Sequence, residues 1–172
     1  MKNFNKILLI ILPALVFSLN VNAQCEKYIS FEEDKMSGVG TWVANDVIVL
    51  SHDGGNEGIA ITTILSSDLK TIICSNKVVG AGCIDESAKI EILFTDKSRL
   101  TLYGDNKFNC QGKATLYFGG IFGKTKHLDD LIEKNIETIR IWGHSSYVQE
   151  DMTVENQENF KNTIKCLREH QK

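Results

Sequence analysis

His52-Asp53 and His144-Ser145-Ser146 are the points where this sequence sets titratable and nucleophilic side chains side by side. Histidine changes charge near neutrality and a carboxylate orients its ring, so His52 with Asp53, and with Asp46 and Glu57 close by, has the residue types for proton transfer. The plainer reading is a polar turn, because His52-Asp53-Gly54-Gly55-Asn56 is rich in turn formers. His144 as base with Ser145 or Ser146 as nucleophile has the types of a hydrolase, but a triad is a spatial arrangement that adjacency does not supply. His127 stands one helical turn from Asp130 at the margin of an apolar stripe, where a boundary histidine is the ordinary explanation. Asp129, Asp130 and Glu133 carry oxygens suited to calcium, yet no twelve-residue loop pattern surrounds them. No G-x-S-x-G elbow, H-E-x-x-H helix or phosphate-cradling glycine loop occurs, and Gly38-Val39-Gly40 lacks the third glycine of a dinucleotide fingerprint. The sequence therefore gives no catalytic assignment and no expectation of a metal or cofactor.

A second set suits recognition instead of catalysis. In Ile136 to Trp142 (IETIRIW) the alternation puts Ile139 and Ile141 on one face and Arg140 and Trp142 on the other. With Tyr147 nearby, Arg140 and Trp142 offer a planar surface for a sugar or a partner protein. Packing against a helix is the competing use of the same aromatics, and of Trp42, Tyr103 and Tyr117.

Five cysteines, Cys25, Cys74, Cys83, Cys110 and Cys166, stand at spacings unlike the close pairs of a zinc ribbon or finger. Disulfides are the expected chemistry, and an odd number leaves one thiol over; sequence does not fix the pairing. Cys74 and Cys83 flank a Gly80-Ala81-Gly82 turn, which suggests a local bridge between them, with Cys110 to Cys166 as the long-range one and Cys25 free.

These candidates need elements to hold them. Thr41–Val43, Asp46–Ser51, Gly58–Leu65 and Lys70–Ser75 are short β-rich runs between turn residues. Lys89 to Tyr103 predicts a hairpin, with Ile90, Ile92 and Phe94 on one face answered by Leu100 and Leu102 beyond Asp96-Lys97-Ser98. Ala114–Phe118 is a further strand that runs into glycines 119, 120 and 123. The period then changes: Thr125 caps a helix with the stripe Leu128, Leu131, Ile132, ending near Asn135. After the strand Ile136–Trp142, Thr153 opens a C-terminal helix with the stripe Phe160, Ile164, Leu167. Strands followed by helix, strand, helix predict an α+β fold, mainly antiparallel, in one domain over residues 24–172.

Residues 1–23 read as a cleavable export signal. Lys2 and Lys6 precede the apolar run Ile7–Leu19, which is short for a bilayer span, and Val21-Asn22-Ala23 suits a signal peptidase. The sole proline, Pro13, lies in that segment. Export places the cysteines in an oxidising compartment, periplasmic or extracellular. Cys25 just beyond the cut raises a lipid anchor, which Gln24 in place of a small residue argues against. No later apolar run of about 18 residues predicts a membrane span. The whole chain carries a net charge of −3, and loss of Lys2 and Lys6 makes the remainder more acidic. Its Lys and Arg residues are scattered, so nucleic acid is not an expected partner.

Gly82-Cys83-Ile84-Asp85, KIEILF, LTLYGDNKFNC, LDDLIEKNIETIRIW and the closing Phe160 to Leu167 with its Cys166-Leu167 together carry a resemblance. Over residues 82–167 the chain resembles a group of small, uncharacterised exported proteins of Bacteroidetes-type bacteria. That resemblance implies export and the same order of elements, and it transfers no activity. The expected function is an exported, non-catalytic binding or interaction domain for a protein, peptide or glycan. The alternative is a small periplasmic or secreted hydrolase using His52 or His144 with nearby acids.

Overall fold

The computed structural model describes residues 24–86, 88–104, 107–119 and 126–171. Residues 1–23, read above as an export signal, lie outside these residues, as do Gly120, Gly123 and Thr125, the expected cap of the first helix. Among the described residues ten strands and two α-helices follow one another as β1 (Ile29–Glu33), β2 (Gly40–Ala44), β3 (Ile48–Leu50), β4 (Gly58–Ser66), β5 (Thr71–Val79), β6 (Lys89–Phe94), β7 (Arg99–Tyr103), β8 (Lys113–Gly119), α1 (Lys126–Glu133), β9 (Ile136–Trp142), β10 (Tyr147–Asp151) and α2 (Val154–His170).

Two antiparallel sheets result. One runs β1-β2-β4-β5-β8, with β3 also paired to β4; the other runs β10-β9-β6-β7. The expected α+β character holds: the chain is mostly antiparallel sheet with two helices. The C-terminal part differs from the expected helix, strand, helix, because two strands, β9 and β10, separate the helices. The YVQED segment of β10 hides its alternation by placing Glu150 on the buried side.

Strict alternation decides which side chains enter the core. Ile59, Ile61, Thr63 and Leu65 of β4, and Ile72, Cys74, Asn76 and Val78 of β5, are buried while their neighbours, apart from Thr71 at the start of β5, are not. Ile90, Ile92 and Phe94 of β6 and Ile139 and Ile141 of β9 do the same in the second sheet. A void of about 20 Å³ is lined by Ile61, Cys74, Asn76, Leu116 and Phe118 from the first sheet and Ile90, Ile92 and Ile139 from the second, with Leu131 and Phe160 from the helices. Both sheets and both helices thus share one apolar cluster. On α2, Phe160, Thr163, Ile164 and Leu167 form the buried i, i+3, i+4, i+7 stripe, and Thr153 caps its start by accepting the Asn156 amide at 3.2 Å. None of the helices among the described residues is long and apolar enough to cross a membrane.

The cysteine pairing differs from expectation. Cys25 is joined to Cys166 and Cys83 to Cys110, while Cys74 is the free thiol. The reason lies in strand phase. Cys74 alternates with Ile72 and Asn76 on the buried face of β5, inside the core and away from the Cys83 loop. Cys83 instead meets Cys110 because the adjacent Ile84 and Asn109 exchange backbone hydrogen bonds of 2.7 and 3.0 Å. Cys25 Sγ, held by Cys166 on α2, is the same sulfur that a thioether lipid anchor would need. Two disulfides fit an oxidising compartment.

Candidate functional site

The second sheet turns one face to the core and leaves the other open, and the open face is an ordered array of side chains. Because paired strands align residue by residue, the register builds cross-strand rows. Tyr147 stands opposite Trp142 at one end, with Lys89 opposite Tyr103. The middle row is Gln149, Arg140, Glu91, Thr101, and the next is Asp151, Thr138, Leu93, Arg99. The three residues expected from sequence to bind ligand, Trp142, Arg140 and Tyr147, are brought together here.

Their geometry is mutual support. The Trp142 and Tyr147 rings lie 5.0 Å apart, tilted by 52°, and the Arg140 guanidinium sits 4.6 Å from the Tyr147 ring centre and 5.9 Å from that of Trp142. Arg140 Nε and Nη2 both donate to Gln149 Oε1, at 3.0 and 2.6 Å, and Nη1 reaches Glu91 Oε2 at 3.5 Å. Trp142 Nε1 donates to the same Glu91 oxygen at 2.7 Å, and Lys89 Nζ pairs with Glu91 Oε1 at 2.8 Å while lying over the indole. Glu91 is therefore the fixed point of the array. Sequence reasoning passed over it; its phase opposite to Ile90 and Ile92 placed it outward, but two of its partners, Arg140 and Trp142, come from β9, far along the chain.

Lys89, then the Trp142 indole, hold the Glu91 carboxyl below its ordinary value of 4.5. Since the folded value lies below the unfolded one, the ionised group stabilises the fold above 4.5, and this contribution is lost as pH falls through the lower folded value. The indole N–H resonance of Trp142 is accordingly expected to titrate with a midpoint below 4.5. A titration of that resonance centred above 4.5 would show that Glu91 does not hold the indole as described.

Beside the aromatic pair lies a pocket of about 220 Å³, lined by Glu91, Leu93, Arg99, Thr101, Thr138, Arg140 and Gln149 together with Ile92. The turn between β9 and β10 sets the aromatics at its edge. Gly143 N donates to Ser146 O and His144 N to Cys83 O, both at 2.8 Å. A β-carbon on Gly143 would stand 2.1 Å from the Ala81 carbonyl oxygen, so only glycine lets the turn lie flat there. Gly143→Ala is expected to cost about 1–3 kcal/mol in denaturant unfolding, through overpacking, and to alter the near-ultraviolet dichroism of the flanking Trp142 and Tyr147.

The histidine candidates are placed elsewhere and each has its own surroundings. His52 precedes a short 3-10 turn, Asp53–Gly55, and its Nδ1 lies 2.7 Å from Glu150 Oε1, a carboxylate only 5% exposed on the inward side of β10. Glu150, from the inward side of a strand far along the chain, is a carboxylate on this ring, and Asp46 accepts from Asn159 at 3.3 Å. Of Asp53 only the backbone is described. His144 Nδ1 faces Asp85 Oδ1 at 3.4 Å, both well exposed. His170 bonds the Cys166 carbonyl and packs on Trp42, while His127 lies in the first turn of α1. Neither His52 nor His144 lines the pocket of about 220 Å³.

Asp129 is paired with Arg168 and Asp130 with Lys134, so these two acids of α1 are engaged in ion pairs. Among the described residues no group of three His, Cys, Asp or Glu side chains is arranged to hold a metal. Cys74 is fully enclosed, and burial pushes its thiol up to about 12, which keeps it protonated and unreactive. No protein-family model, curated protein or solved structure matches this chain.

Proposed function

We propose that this protein is an exported, non-catalytic binding domain whose ligand surface is the open face of the β10-β9-β6-β7 sheet. One observation carries the reading: Trp142, Tyr147 and Arg140 converge on that face, braced through Glu91 and Gln149, beside a pocket. A flat surface with fixed aromatic rings and oriented donors binds ligand with little loss of side-chain freedom. The Glu91 network sets that geometry in advance of binding, since ion pairs on an open face contribute little to stability. Export is supported by the sequence signal and by two disulfides. The resemblance to small exported bacterial proteins is part of the same proposal.

The test is a screen of oligosaccharides and peptides by titration calorimetry, with each hit repeated on Tyr147→Ala. Tyr147 is about half exposed, at 47%, so its removal leaves the core intact. Loss of binding on that substitution supports the reading. Hits unchanged by Tyr147→Ala but abolished by His52→Ala or His144→Ala, with turnover of an ester or amide substrate, would favour the hydrolase instead.

A further inference from the structure

Resting on that reading of the open face, we propose that the ligand is an acidic oligosaccharide, the carboxylate of a uronic acid unit entering the pocket toward Arg99 and Arg140 while a neighbouring ring lies on Tyr147 and Trp142. The charges in the pocket are its warrant. Glu91 is the acidic residue in the lining, and both its oxygens are committed, one to Lys89 and the other to Trp142 and Arg140. Arg99, exposed on β7 at the pocket wall, makes no ion pair among the described residues. Asp151 ends the same cross-strand row but is outside the lining and accepts a hydrogen bond from Thr138 at 2.7 Å. The pocket thus presents one more guanidinium than its own acid neutralises, and a planar guanidinium matches a carboxylate through two parallel hydrogen bonds.

Size and shape select the carrier. A pocket of about 220 Å³ is below the usual range for a drug-sized ligand and admits a single small ring or its substituent. Thr101, Thr138 and Gln149 around it supply hydroxyl and amide groups suited to sugar hydroxyls. An extended acidic peptide would pair its backbone with a strand edge, whereas the aromatics and arginines here stand on a sheet face. Successive rows along a strand are separated by about 7 Å, twice the rise of about 3.3 Å per residue, so a chain of linked rings can meet the aromatic row and the pocket at once.

The experiment is calorimetry on the oxidised protein with short oligomers of galacturonate, mannuronate, guluronate and glucuronate, each beside its uncharged methyl ester, with oligoglutamate as the peptide probe. At least one acid oligomer is expected to bind about tenfold or more tightly than its ester, as befits a charge-assisted contact. Arg99→Gln is expected to reduce binding of the acid form to about the level of the ester, with an unaltered melting temperature. Equal binding of acid and ester, both abolished by Tyr147→Ala, would overturn the acidic class while keeping the binding face. Arg99-dependent binding of oligoglutamate alone, or no binding by any uronate oligomer, would overturn the glycan assignment. Failure of Tyr147→Ala to affect any ligand found would instead overturn the face itself.

Discussion

Cys25→Ser and Cys166→Ser are each expected to lower the unfolding free energy of the oxidised protein by about 2–5 kcal/mol in denaturant titration, the largest loss from any single surface-distant bond. The two cysteines are separated by 141 residues, and the entropy that a cross-link removes from the unfolded chain grows with the loop it closes. In that model a loop of this length is worth up to about 5 kcal/mol. The double variant should equal either single one, since one bond is lost in all three. Cys83 and Cys110 close only 27 residues, and the Ile84–Asn109 backbone bridge helps hold the same loop, so their loss should cost less. If instead Cys110 were paired with Cys166, Cys110→Ser would equal Cys166→Ser and their double variant, while the effects of Cys25→Ser and Cys166→Ser would add.

Arg140→Ala carries the largest expected effect on binding. Aromatic and arginine anchors at the centre of a binding face commonly account for 2 kcal/mol or more, about a thirtyfold loss of affinity. Arg140 is such an anchor because it touches both rings and fixes Gln149, so its removal frees two sides of the pocket at once. Stability should fall by under about 1 kcal/mol, since its ion pair with Glu91 is partly exposed and Glu91 keeps Lys89 and Trp142. Calorimetric affinity and denaturant midpoint, measured on the same preparation, separate the two effects. A stability loss of several kcal/mol with unchanged affinity would make Arg140 a structural residue.

Much of the sheet structure was legible because alternation is a local property. KIEILF and RLTLY announce their buried faces within a few residues, and the stripe of α2 reads as plainly. β1 and β10 escaped for different reasons. Of ISFEE only Ile29 is buried, as suits an edge strand, and YVQED turns a carboxylate inward where the pattern calls for an apolar residue. That carboxylate finds its partner, His52, across the fold, which no local window shows.

The site was legible by half. Strand phase alone placed Arg140 and Trp142 outward together, but the support from Glu91, Gln149 and Lys89 depends on how β6, β9 and β10 pair. Arg99 and Thr101 enter the pocket only because β7 lies beside β6. The cysteines had a usable signal: Cys74 is in phase with Ile72 and Val78, which commits it to the core. The partners of the other four depend on tertiary approach.

The central claim is that ligand binds the open face of the second sheet, and chemical-shift mapping tests it most directly. Titrating the isotopically labelled, oxidised protein with a ligand from the oligosaccharide and peptide screen should move resonances of Glu91, Arg99, Thr101, Arg140, Trp142, Tyr147 and Gln149, and leave His52 and α2 unmoved. Shifts gathered around His52 and Glu150, with the Trp142 indole silent, would contradict it.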